Sequence, residues 1–375
     1  MPLKCLRGDE EIFAFDVEDE VAWKRLRESN AEARNLRMPC CGAAVVLRTS
    51  PLGTRHFAHA RGGPCQTAPE TAEHLLAKRI VVEGIRRTAW SAKTEQEGTT
   101  PEGERWRADV LATKGKGKVA VEIQWSRQDH DETLRRQDRY EEAGVRGLWL
   151  FRQFDLPMFL NVIPAFRLRF DAASRSFSVS LPSALYHPMR IGPKDKEDPK
   201  WWGQTIELSK FAEGVVRGRL KFSPAIDATL PLEISATPTT CRRCGSTTKV
   251  VTDMRLAASK VFPGHPDIPL SLRALEEVVG GAEFLERWLP PTLLRRHGIG
   301  ALKERRSGLD VENHGSYLSN GCVRCDALQA RLFEDRLTGE EELALSVDVV
   351  FEGGLAVQFR QFGSMLDRWW FDERD

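Results

Sequence analysis

Three side chains in the run WRADVLATKGKGKVAVEIQWS, residues 106–126, have the types and spacing of a metal-dependent site: Asp109, Glu122 and Gln124. Side chains alternate across a strand, so Glu122 and Gln124 share one face, roughly 7 Å apart, while Val119, Val121 and Ile123 take the other. In the preceding run Arg107 and Asp109 lie opposite Trp106, Ala108 and Val110. A Gly/Lys turn joins the two runs, and a short twisted hairpin can set Asp109 beside Glu122. Two carboxylates that close raise one another's pKa unless a cation lies between them. Mg²⁺ suits such a pair, because it prefers oxygen ligands and fills its remaining positions with water and substrate phosphate. An ion held there can activate water and stabilise charge on a phosphodiester. A solvated strand face gives the same pattern.

Upstream, TAEHLLAK (71–78) reads as a helix in which Glu73, Leu76 and Ile80 follow i, i+3, i+7 spacing. The acid therefore lies on the stripe that packs toward a sheet. His74 and Lys78 form an i, i+4 pair suited to contacting a phosphate or orienting the acid, and a plain surface pair is compatible with the same spacing.

Eight cysteines fall into two metal-like groupings plus Cys5. Cys40, Cys41, His56, His59 and Cys65 offer five ligands where tetrahedral zinc needs four; core-packing thiols are the alternative. Cys241-x2-Cys244 and Cys322-x2-Cys325 have the form of two halves of a zinc ribbon. The stretch between them, about 250–319, is an insertion, helical at LSLRALEEVV and FLERWL. Four unligated thiols in two CxxC turns would instead imply redox chemistry, but its usual βαβ setting is missing.

The elements around the carboxylates order themselves as a helix from Ala68 to about Arg87, strands at Arg105–Ala112 and Lys118–Ser126, a polar helix at Asp129–Ala143 and a buried strand at Val145–Phe151. Phe166–Leu181 reads as a β-hairpin, Ile206–Phe222 as a helix, and the tail from Leu328 as two strands. The expected organisation is a helix and Cys/His module over 1–67, an α/β core over 68–155, a hairpin and helical connector over 156–235, and a Cys-bearing module with insertion and β tail over 236–375. His130 could meet a phosphate or simply open its polar helix; Trp201, Trp202, Trp369 and Trp370 could stack on bases, although packing explains them as well.

The net charge of +1 creates no global field for nucleic acid. One local patch stands out, with nine Lys/Arg against three acids between Arg34 and Arg87; a solvated face and a phosphate-binding surface fit it equally. The acidic run FEDRLTGEEE (333–342) would repel nucleic acid. The start, MPLKCLRGDEE, has no apolar signal core, and no run approaches the roughly 20 apolar residues that span a bilayer. These features lead to the expectation of a cytoplasmic protein without a membrane partner.

Taken in order, HFAH, AEHLLAK, WRADV and VAVEIQWS resemble the competence protein CoiA-like family, whose nuclease domain belongs to the PD-(D/E)XK, restriction-endonuclease-like superfamily. The resemblance covers Met38 to about Phe151 well and the C-terminal Cys module more loosely. It implies a restriction-endonuclease-like core, a mixed sheet flanked by helices, with small zinc-binding modules on both sides. It also implies Glu73, Asp109 and Glu122 around Mg²⁺ or Mn²⁺, with Gln124 where the superfamily usually has Lys. Neutral Gln supplies only the hydrogen-bonding part of that role. In the family the first Cys segment reads C-P-x-C followed by HFxH; here Met38 replaces the first cysteine, so the zinc set implied is Cys41, His59 and Cys65 with Cys40 or His56. The activity implied is metal-dependent cleavage of DNA in bacterial DNA processing, either competence and recombination or restriction of foreign DNA, with Lys78 and His74 at the scissile phosphate. Double-strand cleavage would call for a homodimer. Two other readings stand beside it: a nuclease-fold DNA-binding protein without catalysis, and a zinc-dependent docking platform for a recombinase or helicase.

Overall fold

The computed structural model describes residues 2–17, 19–60, 70–153, 163–183, 201–222, 227–262, 265, 267–276, 280–306, 316–329, 340–352 and 369–374. The chain forms two compact units, Met1–Leu220 and Lys221–Asp375. Among the described residues no helix is long and apolar enough to cross a membrane.

The first unit opens with a small module. Strands β1 (Lys4–Arg7), β2 (Glu10–Phe13) and β3 (Leu36–Arg37) form one sheet, β4 (Val45–Thr49) and β5 (Arg55–His59) form a hairpin, and helix α1 (Glu20–Ala33) covers them. Asp19 caps α1 by accepting from the Ala22 N–H, and Arg34 in the left-handed region ends it. Trp23, Leu36, Val45 and Phe57 fill the interior. Buried Asn30 links the layers: it donates to the Val45 carbonyl at 2.8 Å and accepts from the Leu36 N–H at 3.1 Å.

Helix α2 (Ala72–Arg86) follows, and then a mixed seven-stranded sheet. Its strands are β6 (Ser91–Thr99), β7 (Arg105–Lys114), β8 (Gly117–Gln124), β9 (Arg146–Phe151), β10 (Ala165–Asp171), β11 (Ser176–Pro182) and β12 (Trp202–Glu207), in spatial order 12-11-10-9-8-7-6. Strand β9 runs parallel to β8 and to β10, and the other neighbours are antiparallel. A parallel pair cannot be joined by a hairpin, and helix α3 (His130–Glu142) makes the crossover from β8 to β9. The hairpin expected at 166–181 is present and continues this same sheet.

Gly147 lets α3 lie close to β9, since a Cβ there would collide with the side-chain carbonyl of Gln137. Through that gap Gln137 accepts from the Trp149 indole at 2.8 Å.

The helix expected over Ile206–Phe222 starts later. Residues 202–207 complete β12, and helix α4 (Leu208–Val216) begins where the Glu207 carboxylate accepts from the Ser209 and Lys210 N–H groups. Gly218, with φ 77°, closes it.

In the second unit an antiparallel sheet has the order Ile268–Leu270, Thr247–Leu256, Thr229–Thr240, Glu342–Val350. Leu232, Ile234, Leu256, Trp288 and Leu294 belong to its core. The insertion between the two Cys pairs contains helices Leu272–Glu276, Gly281–Trp288 and Pro291–Arg296 and strands Leu302–Arg306 and Ser316–Gly321.

Candidate functional site

A cavity of about 540 Å³ opens in the first unit beside the point where β7 and β8 part. The ladder between them reaches Val110↔Val121 and goes no further toward Asp109. Beyond it the Ile123 N–H donates to Asp109 Oδ2 at 2.9 Å, so a side chain replaces the backbone partner. Asp109, Glu122, Gln124, Glu70, His74, Arg107 and Arg136 all line the cavity. The module before α2 contributes Pro2, Lys4, Met38, Cys40 and His59 to its wall.

Asp109 sits in a charged cluster. Lys78 Nζ is 3.0 Å from Asp109 Oδ1, 2.5 Å from Glu70 Oε1 and 3.5 Å from Glu95 Oε1. His74 bridges the two acids on the other side, with Nδ1 3.5 Å from Glu70 Oε1 and Nε2 3.5 Å from Asp109 Oδ2. Burial disfavours ionisation of Asp109, but the Lys78 ammonium outweighs it and holds the carboxyl well below the usual range. For Lys78 itself burial favours the neutral amine, and the carboxylates of Asp109, Glu70 and Glu95 overcome it, so its pKa is raised.

Glu95 reaches Lys78 at a conformational cost. It adopts φ 53° in the middle of β6, a left-handed conformation unfavourable for L residues by about 1–2 kcal/mol. Its Oε1 accepts from the Leu3 N–H at 3.1 Å, and Lys4 donates to its carbonyl at 2.8 Å. These bonds tie β6 to the N-terminal strand.

Glu122 has different partners. It is 1% exposed; Tyr140 donates to Oε1, and Arg136 Nη2 lies 2.5 Å from Oε2. Burial raises its pKa, with the Arg136 charge acting in the opposite sense. Arg136 also donates to Gln128 Oε1 at 3.0 Å and lies over the Trp149 ring. Gln124 Nε2 donates to the Ser126 carbonyl at 2.9 Å.

Among the described residues, Glu70, His74 and Asp109 present ligand atoms within 4.8 Å of one another, so this set could hold a metal ion. The acid adjoining α2 that lines the cavity is Glu70, and Glu73, expected in that place, is not among the lining residues. Lys78 is 1% exposed and does not line the cavity, so the phosphate contact expected of it is not available; its charge points inward to the acids. Glu70, Glu95, Arg136 and Tyr140 are additions to the sequence expectation.

Cys40, Cys41 and His59 form a second group within 4.8 Å, with Cys41 Sγ 3.3 Å from His59 Nε2. His56 lies outside this group, buried with Nδ1 3.3 Å from the Thr54 carbonyl. It alternates with His59 on β5 and so faces away. Cys65 lies outside the described residues.

In the second unit Cys241, Cys244, Cys322 and Cys325 converge, with Sγ–Sγ distances of 3.7 Å for 241/325 and for 244/322. Four sulfurs about 2.3 Å from a tetrahedral zinc stand roughly 3.8 Å apart, so the cluster fits that ion. Both CxxC turns end in a left-handed residue, Gly245 at φ 71° and Asp326 at φ 52°. Their amides return to the Cys241 and Cys322 carbonyls at 2.8 and 2.9 Å. Hydrogen bonds from the Ser246 N–H and hydroxyl lower the pKa of the Cys244 thiol, whereas at Cys325 the Ala327 N–H favours the thiolate but burial and the neighbouring sulfurs outweigh it and raise the pKa.

Three of the four tryptophans that could stack on bases are packed. Trp201, Trp202 and Trp370 are buried; Arg167 and Arg169 lie over Trp202, and His265 lies against Trp370. His130 is the first residue of α3, whose cap is Asp129.

Residues 70–158 of the 375 match the model of a family described as competence protein CoiA, nuclease-like domain. The match contains α2, β6, β7, β8, α3 and β9, hence every carboxylate of the cavity named above, and it supports the CoiA-like family. No curated protein matches the chain.

Proposed function

We propose that this protein is a metal-dependent nuclease that cleaves DNA phosphodiester bonds, with a core of the PD-(D/E)XK, restriction-endonuclease-like type. The observation that carries this reading is the convergence of Asp109, Glu122 and Gln124 on one cavity inside the segment matched by a nuclease-like family model. Glu70, His74 and Asp109 would hold the divalent ion, which when bound supplies Lewis acidity toward the phosphodiester. Gln124 orients water by hydrogen bonding, Lys78 keeps Asp109 ionised, and Tyr140 with Arg136 fixes the direction of Glu122. An imidazole among the ligands favours a transition-metal ion over Mg²⁺. Mn²⁺ is therefore expected to support activity at lower concentration than Mg²⁺.

The test is incubation of the purified chain with supercoiled plasmid, linear duplex and single-stranded DNA in Mg²⁺, Mn²⁺ or EDTA, beside Asp109→Ala and Glu122→Ala. Cleavage that needs the ion and vanishes in both variants is the expected result. A second reading, DNA binding without cleavage, draws on Glu122, whose two oxygens are both engaged by protein donors. It predicts that no substrate is cut and that Asp109→Ala binds DNA like the parent. The four-cysteine cluster is proposed as a structural zinc site in either case.

A further inference from the structure

A phosphodiester attacked in the cavity accumulates negative charge, and the side chains around it differ in their ability to meet that charge. Gln124 is neutral, and its amide nitrogen already donates to the Ser126 carbonyl. Lys78 is sealed among three carboxylates. Lys4 lines the cavity but is turned to the Glu95 carbonyl and the Glu11 carboxylate. Arg136 lines it as well, with 23% of its side chain exposed. Of its five N–H groups, one goes to Glu122 and one to Gln128. The Trp149 ring, 5.0 Å from Cζ, backs the guanidinium plane and fixes its orientation.

We infer that Arg136, from helix α3, is a cation that meets the scissile phosphate where Gln124 on β8 carries no charge. Arg107 of β7 also lines the cavity, but among the described residues no aromatic ring or acid fixes its guanidinium. The inference rests on the cavity being the site of phosphodiester cleavage proposed above. A guanidinium presents parallel donors that match a phosphate, and its charge persists at any working pH. Because Arg136 also holds Glu122, it couples the position of the phosphate to that of the carboxylate.

Two readouts on the full chain test this, one of them independent of cleavage. In EDTA, binding of a fluorescein-labelled duplex is measured across a salt series for the parent, Arg136→Gln, Arg136→Lys and Arg135→Gln. Arg135 is exposed and pairs with Glu132, so it serves as the control. Loss of one phosphate contact is expected to make the slope of log K against log salt shallower by about 0.9 in Arg136→Gln, with the slope retained in Arg136→Lys and Arg135→Gln. In saturating Mn²⁺ and DNA, Arg136→Gln is expected to cut roughly 100-fold more slowly or worse, with partial recovery on adding guanidinium. An unchanged slope overturns the inference. So does an Arg136→Gln rate within a few-fold of the parent's in saturating Mn²⁺, since another group would then be meeting the phosphate. If the parent cuts nothing while the slope falls as expected, the cleavage proposal fails and the phosphate contact stands.

Discussion

Lys78 is the residue on which the acid cluster depends. Removing one partner of a buried ion network leaves uncompensated charge and costs about 3–5 kcal/mol, so Lys78→Met is expected to lower stability by an amount in that range, measured by urea unfolding at pH 7. The pH dependence should change with it. In the parent, the Asp109 pKa lies below its unfolded value of about 3.9, so its contribution is present above that pH and is lost as pH falls through the folded value. Without Lys78 burial raises the folded-state pKa of Asp109, although the His74 and Ile123 donors still lower it, so less of this contribution is left to lose and the variant should fall in stability less steeply than the parent between about pH 5 and 3. A variant that falls as steeply as the parent over that interval would contradict this account. Residue scale is also where the sequence was least legible. Asp109, Glu122 and Gln124 could be read because period-two alternation places them, but Glu70 precedes the Thr71 cap. Helical periodicity says nothing about a residue outside the helix, so it selected Glu73.

At the scale of elements, helix α2 brings its candidate ligand to the cavity through its first turn. Thr71 caps α2 by accepting from the His74 N–H at 3.2 Å, so the cap holds the backbone of a candidate ligand. Thr71→Ala is expected to cost about 1 kcal/mol and to weaken Mn²⁺ binding, measured by thermal unfolding and by calorimetric titration. Restoring the cap with Thr71→Ser should recover both. In α3 the i, i+4 pair Arg136 and Tyr140 reaches the same carboxylate. That spacing is plain in the sequence, but its target becomes visible only when the crossover packs α3 on β9. Strand β6, SAKTEQEGT, was not legible at all: its residues are mostly polar, and alternation breaks at Glu95, where consecutive residues 94 and 95 are both buried. The break exists because Glu95 turns to Lys78, a tertiary requirement that overrides β propensity.

On the scale of the whole molecule, the two units rest on different sources of stability. Residues 1–220 are held by an extended sheet, covering helices and a buried acid cluster. In residues 221–375 the Cys pairs, about 80 positions apart in sequence, meet at one cluster. An ion there closes a long loop and contributes binding energy directly to folding, about 10–16 kcal/mol for structural zinc, comparable to the whole stability of a typical domain. Two outcomes follow for the full chain. Elemental analysis is expected to find zinc that is lost in Cys322→Ser, and chelation is expected to raise hydrogen exchange throughout Thr229–Thr240 and Thr247–Leu256 while β7 and β8 keep their protection. Uniform loosening of both units would mean that they unfold as one, and unchanged protection in Thr229–Thr240 would mean that hydrophobic burial around Leu232, Ile234 and Leu256 is sufficient without the metal. The first outcome is expected because those strands lead into and out of the first CxxC turn, so release of its sulfurs frees the closed end of the hairpin.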